Sequence, residues 1–166
     1  AGNDPTCLIG GVVPLYGRNA HGGAGKLLVA EADESDGTLV KFKPKLGLIT
    51  NVDLDHTDYY SDLNALIQTM QKFGKNCKNL LINRDCKILK SSLKNNFSWS
   101  IKNKEADFAA IPVNIDGEKT VADLYEKGKL ITRISLPIPG LHNLSNAIAA
   151  IAACRLEGLK FETIND

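Results

Sequence analysis

The chain has 166 residues, 43% of them hydrophobic and 23% charged, with a formal net charge of +1. That length supports one domain with a substantial core, and the near-neutral balance removes any global electrostatic case for nucleic acid or an anionic membrane as partner. No apolar run approaches the roughly 20 residues of a membrane-spanning helix, so membrane insertion is not expected.

The four cysteines, Cys7, Cys77, Cys86 and Cys154, include no C-x-x-C pair and match no zinc spacing. A disulfide framework is not expected, and a reducing cytoplasm fits the pattern. No signal peptide is visible. The chain opens at AGNDPTCLIGG without methionine and stops at FETIND, where a helical pattern begins. It reads as a fragment of a longer protein, and it carries no signal of oligomeric state.

Taken in chain order, residues 7–13 form a short strand and the glycine- and proline-rich stretch 14–26 a loop. The apolar runs 27–32 and 46–52 are bounded by turn signals, as buried parallel strands are. Only about a dozen residues link them, near the minimum for a parallel crossover. Leu63, Leu66, Ile67, Met70 and Phe73 share one helix face; Ser61 or Asp62 caps that helix and Gly74 ends it. Residues 79–83 are a third parallel strand, 85–93 a short helix and 96–100 a strand. The pattern then turns antiparallel over 107–113, 120–125 and 130–136, with Glu126-Lys127-Gly128-Lys129 as a hairpin turn. The Ala-rich stretch 144–156 is a helix, with Asn143 as N-cap and Gly158 at its stop. The fold class expected is α/β: a mostly parallel sheet flanked by helices, with a small antiparallel sheet appended.

Two polar clusters sit at strand exits. EADESDGT (residues 31–38) follows the first buried-type run and TNVDLDHTD (residues 50–58) the second. Open α/β sheets bind ligands at the carboxyl edge of their strands. If the two strands are parallel neighbours, Glu31, Asp33, Glu34, Asp36, Asp53, Asp55, His56 and Asp58 face one crevice. So many carboxylates around one imidazole call for a cation, or for a substrate that carries one; the alternative is two solvated acidic loops. A Glu/His pair taken alone suggests zinc or manganese, since hard magnesium prefers oxygen.

EADESD after one strand, TNxxxDHxD after the next and PGxHNxxNAxAA opening an Ala-rich helix together resemble the Mur ligase family. The stretches Asp4–Gly11 and Asn19–Gly25 are similar to its DPTxLIGG and NAxxGxG segments. The resemblance runs over essentially the whole chain, is strongest to the alanine-adding branch, and implies the central ATPase domain of a P-loop NTPase-like fold. It places the UDP-sugar domain before residues 1–166 and a further domain after them. The reaction it implies is amide formation. ATP phosphorylates the lactyl carboxylate of UDP-N-acetylmuramate, and the amine of L-alanine attacks the acyl phosphate, in peptidoglycan precursor synthesis.

The same resemblance implies roles for single residues. Glu31 and His56 become magnesium ligands and catalytic residues. His142, Asn143 and Asn146 become nucleotide contacts. Ser35, Asp36, Asn51 and Asp55 are candidates for positioning substrate or orienting His56. Each of these has a plain alternative: a solvated strand end for Glu31, a loop histidine for His56, a helix cap for Asn143, and turn or cap residues for the rest. A lysine that many family members carbamylate is absent here; Gln71 stands near its place. The family's phosphate-binding loop, G-T-x-G-K-T/S, is also absent from the 166 residues, and GGAGKLL (22–28) does not replace it because Leu27 follows Lys26. The fragment by itself is therefore expected to be inactive. Competing readings are a murein-peptide-recycling ligase, a folylpolyglutamate synthase of the same superfamily, or a non-catalytic α/β binding module. The serine of EADESD favours alanine addition over recycling, whose motif tends to read EADEYD.

Overall fold

A computed structural model describes residues 2–55 and 58–164. The chain divides into two compact units, Ala1–Leu39 and Val40–Asp166.

The first unit is a three-stranded sheet of order β2-β1-β3, built from β1 (Thr6–Val13), β2 (Arg18–His21) and β3 (Leu28–Ala30). β1 pairs antiparallel with β2 and parallel with β3. The predicted loop over 14–26 therefore contains a strand. The signal is hidden because Arg-Asn-Ala-His has no strand composition; the pairing is imposed by the preceding turn, where the Tyr16 and Gly17 amides both donate to the Val13 carbonyl and Gly17 takes φ +63°. The Tyr16 ring stacks on His21 with centroids 4.2 Å apart. Gly23 and Gly25 of GGAGK serve closure of this unit. The Ala24 amide donates to Asp4 Oδ2 at 2.7 Å and the Gly25 amide to the Asp4 carbonyl at 2.8 Å. A side chain at Gly23 or Gly25 would collide with the backbone of residues 3–5.

β3 departs from expectation. It is short, and Leu28 and Val29 are 61% and 49% exposed.

The second unit holds a six-stranded sheet of order β4-β5-β6-β7-β8-β9. Its strands are β4 (Leu46–Ile49), β5 (Asn79–Asn83), β6 (Phe97–Ser100), β7 (Phe108–Ile115), β8 (Thr120–Glu126) and β9 (Lys129–Leu136). β4 to β7 pair in parallel, and β7-β8-β9 are antiparallel. The expected antiparallel patch is thus continuous with the parallel sheet, joined where Trp99 pairs with Phe108. The β8–β9 turn is as expected: Lys127 and Gly128 both take positive φ, as a two-residue hairpin turn requires.

The expectation that 27–32 lies beside 46–51 and 79–83 in one parallel sheet is overturned for the first of the three. β4 and β5 are parallel neighbours, but β3 pairs with β1 in the other sheet. The physical reason lies in the connections. A parallel pair needs a crossover, usually a helix. α1 (Leu63–Asn76) supplies it between β4 and β5, whereas the link from β3 to β4 carries only a 3₁₀ turn at Thr38–Lys41.

Helices cover both faces of the larger sheet. Asp62 caps α1 by accepting from the Ala65 amide at 2.9 Å. Gly74 does not end α1 as expected; it lies inside the helix, where a Cβ would come 3.0 Å from Leu80 Cδ2, so its role is close approach to β5. α2 (Lys87–Ser92) is tied to α1 by Gln71, whose amide donates to the Ser92 carbonyl at 2.8 Å. On the opposite face α3 (Leu141–Leu156) buries Leu144, Ile148, Ala149 and Ala152 against Leu81, Trp99, Phe108, Ala110, Ala122 and Leu124. Small residues let this helix sit close to the strands. Gly158 ends it with φ +87°, as predicted.

Candidate active site

Each unit presents its polar residues at the carboxyl ends of parallel strands. In the first unit Glu31 follows β3, and its amide donates to the Leu8 carbonyl at 2.8 Å, extending the β1–β3 ladder. Its carboxylate is aimed by the neighbouring strand: the Gly10 amide donates to Glu31 Oε2 at 2.7 Å. A Cβ at residue 10 would stand 2.9 Å from Glu31 Oε1, so a larger residue there would push the carboxylate aside. Glu31 lines an open cleft of about 270 Å³ with Leu8, Ile9, Gly10, Asn19, Ala20 and Asp33. The side chain is exposed rather than buried, so what holds it in place is a hydrogen bond, not burial. Asn19 stands in the same cleft as Glu31 with no sequence signal for it, because residues 14–26 read as loop.

Ser35 and Asp36 follow in the same unit as turn residues. The Ser35 amide donates to Asp33 Oδ1. Asp36 Oδ1 accepts from the Thr38 amide at 2.8 Å, and hydrogen bonding to Thr38, side chain first and then backbone, holds its carboxyl below the usual range. Asp36 thereby opens the 3₁₀ turn as a cap.

In the second unit the carboxyl edge can be traced strand by strand. Asn51 and Asp55 follow β4 and are exposed. The turn after β5 is fixed by Asp85, whose oxygens accept from Ser100 Oγ at 2.7 Å and the Ile101 amide at 2.8 Å. β7 runs up to this edge, β8 runs down and β9 runs up again, so β9 delivers the chain to the same edge. The loop 137–140 then opens α3, which returns toward the opposite edge, where Lys45 before β4 pairs with Glu157 at 2.6 Å. His142, Asn143 and Asn146 on the first turns of α3 therefore share the carboxyl edge with Asn51.

Their local roles differ. His142 and Asn146 are exposed. Asn143 is not the N-cap: α3 begins at Leu141 with Gly140, at φ +108°, before it. The Asn143 amide donates back to the Pro139 carbonyl at 2.7 Å. A glycine in positive φ starts the helix earlier than an asparagine cap would. His56 lies outside the described residues. Glu31, Ser35 and Asp36 fall in one unit and Asn51 and Asp55 in the other, so one crevice for all of them is not part of the described geometry. Among the described residues no group of three metal-ligating side chains stands together, and no helix is long and apolar enough to cross a membrane.

A profile of the Mur ligase middle domain matches residues 13–154. The chain belongs to the Mur ligase family. Among curated members, UDP-N-acetylmuramate–L-alanine ligase of Synechococcus sp. (strain CC9311) is 58% identical over 164 residues, covering 98% of this chain and 34% of the relative. The protein of the same description from Prochlorococcus marinus (strain MIT 9303) is 60% identical over 162 residues, 97% of this chain and 33% of the relative. This Mur ligase middle domain thus spans about a third of the length of the curated relatives it matches.

Solved structures share the fold. UDP-N-acetylmuramate-alanine ligase of Thermotoga maritima superposes with a TM-score of 0.85 at 23% identity, over 98% of this chain and 37% of that one. MurF ligase of the same organism, described in complex with ADP, gives 0.71 at 17% identity, over 96% and 40%. The α/β middle-domain fold expected from sequence is the one observed.

Proposed function

We propose that this chain is the central ATPase domain, residues 1–166, of a cytoplasmic ligase that joins L-alanine to UDP-N-acetylmuramate at the expense of ATP, in peptidoglycan precursor synthesis. The observation that carries the reading is identity of 58–60% over nearly the whole chain to proteins so described. ATP activates the lactyl carboxylate as an acyl phosphate, and the alanine amine displaces phosphate to form the amide.

The residues divide the work. Glu31 fits a magnesium ion. Gly10 fixes Oε2, Oε1 sits in a cradle that a Cβ would fill, and Asp33 adds a second oxygen donor to the same cleft, which is the hard-oxygen chemistry magnesium prefers. His56 is the companion ligand on the resemblance alone. When bound, the ion neutralises charge on the transferring phosphoryl group. His142, Asn143 and Asn146 take the nucleotide; the Asn146 carboxamide suits the donor–acceptor edge of adenine. Asn143 contributes by bracing the Pro139 turn as well as by contact. Asn51 and Asp55 position substrate from the edge of β4, Asp55 beside His56 in sequence, while Ser35 and Asp36 shape the turn after Glu31. The 166 residues hold no phosphate-binding loop, and by themselves they are proposed to turn over no ATP.

The experiment is substrate choice by the full-length enzyme. ADP release should require UDP-N-acetylmuramate and L-alanine together. Preference for L-alanyl-γ-D-glutamyl-meso-diaminopimelate over L-alanine would instead favour the murein-peptide-recycling reading.

A further inference from the structure

We infer that Thr120, at the start of β8, is a positioning residue for nucleotide binding, acting through the loop 137–140 on the first turn of α3. The inference rests on the reading above that His142, Asn143 and Asn146 meet the nucleotide.

The loop reads Pro137-Ile138-Pro139-Gly140. Two prolines remove two backbone donors, so the segment has few means of fastening itself to the sheet. Thr120 supplies the fastening. Its hydroxyl donates to the Ile138 carbonyl at 3.0 Å and accepts from the Gly140 amide at 3.0 Å. The side chain is fully buried, at the start of β8 where Thr120 pairs with Ile115 and Leu136. The one donor and an acceptor of a buried hydroxyl are thus spent on the entry to one helix.

Gly140 is the hinge point of that entry. It takes φ +108°, and its carbonyl accepts the first helical bond, from the Leu144 amide at 3.1 Å. Further along, α3 is held by its buried face and by Trp99 Nε1, which donates to Ser145 Oγ at 3.1 Å. Thr120 fixes one end of the first turn and Trp99 the other. Between these anchors stand His142 and Asn143, with Asn146 just past Ser145. A valine at 120 keeps the shape of threonine but leaves the Gly140 amide and the Ile138 carbonyl without partners. Ile138 is exposed and Gly140 half-buried, so the two freed groups turn to water in place of the sheet, and the loosening falls on the turn that carries the nucleotide contacts.

The test uses the full-length enzyme with Thr120→Val, Thr120→Ser and Asn146→Ala. Thr120→Val should raise KM for ATP about tenfold and weaken ADP–magnesium binding in parallel, with KM for L-alanine unchanged and kcat reduced less than twofold. Thr120→Ser, which retains the hydroxyl, should restore nucleotide affinity to within about twofold of wild type. An ATP KM within twofold of wild type in Thr120→Val, whatever its melting temperature, overturns the inference, as does a serine variant as impaired as valine. If Asn146→Ala binds nucleotide normally, the nucleotide reading itself fails and the inference with it. If Asn146→Ala is impaired and Thr120→Val is not, the inference alone fails. Should the valine variant not fold, hydrogen exchange on the wild-type enzyme decides: without nucleotide the Gly140 amide should be protected, and exchange as fast as in an open loop overturns the claim.

Discussion

The Gly10 amide holds Glu31 through Oε2 at 2.7 Å, across the β1–β3 pair. The bond ties the position of a proposed magnesium ligand to a residue 21 places earlier in the chain. A Cβ at residue 10 would stand 2.9 Å from Oε1, close enough to push the carboxylate aside. Gly10→Ala in the full-length enzyme should therefore displace the carboxylate without altering its charge. Misplacement on the ångström scale is expected to lower kcat by on the order of 10–100-fold. Steady-state kinetics checks this, and a wild-type kcat would separate Glu31 from the reaction.

The nucleotide contacts give a milder expectation. Asn146 is exposed on α3, near its start. Asn146→Ala should raise KM for ATP about tenfold, the equivalent of roughly 1.4 kcal/mol, and leave the melting temperature unchanged. A drop in melting temperature with normal nucleotide affinity would make Asn146 a helix-packing residue instead.

Gly47 offers a test of packing. It faces α1 from β4, where a Cβ would collide with Cys77 Sγ and stand 3.2 Å from Phe73 Cε1. Gly47→Ala should destabilise the second unit by about 1–3 kcal/mol, the usual cost of overpacking. Adding Cys77→Ala should return part of that loss. Denaturant unfolding of the single and double variants measures both, and an unchanged midpoint in Gly47→Ala would remove the close approach.

Cys77 also predicts a pH dependence. Burial pushes its thiol up from 9.0 to about 11, and the thiol donates to the Phe73 carbonyl at 3.2 Å, a bond the thiolate cannot make. A folded value raised above the unfolded one gives stability that is fully present below about pH 9 and lost as pH rises through about 11. The wild type should therefore lose melting temperature over that window more steeply than Cys77→Ala. Parallel curves for the two proteins would contradict the assignment.

The larger sheet was legible because its signals are local. The sequence run 79–83 matches the bounds of β5 and the run 46–52 extends past the end of β4 at Ile49, since both are short apolar runs between turn signals. The Asp62 cap, the Lys127-Gly128 turn and the Gly158 stop each follow from one residue's chemistry. What sequence reasoning could not reach was pairing and partner choice. β2 has no strand composition and exists because β1 and the Gly17 turn impose it. The run at β3 reads as a buried neighbour of β4, but its ladder is with β1. Gly74 reads as a helix stop and is a contact with Leu80. Asn143 reads as a cap, yet Gly140 starts the helix. For the site, Glu31 and the α3 residues were legible as motifs, whereas the amide that aims Glu31 and the hydroxyl that fastens Gly140 lie on strands distant in sequence.

The most direct test of the account is the rate of L-alanine-dependent ADP release by the full-length enzyme carrying Glu31→Ala or His56→Ala, measured beside thermal melts. Each variant should lose several orders of magnitude in kcat, because stabilisation of charge on the transferring phosphoryl group matters most in the transition state. Melting temperatures should hold, since Glu31 is exposed at the end of its strand. Turnover near wild type from either variant would contradict the account and remove that residue from the mechanism.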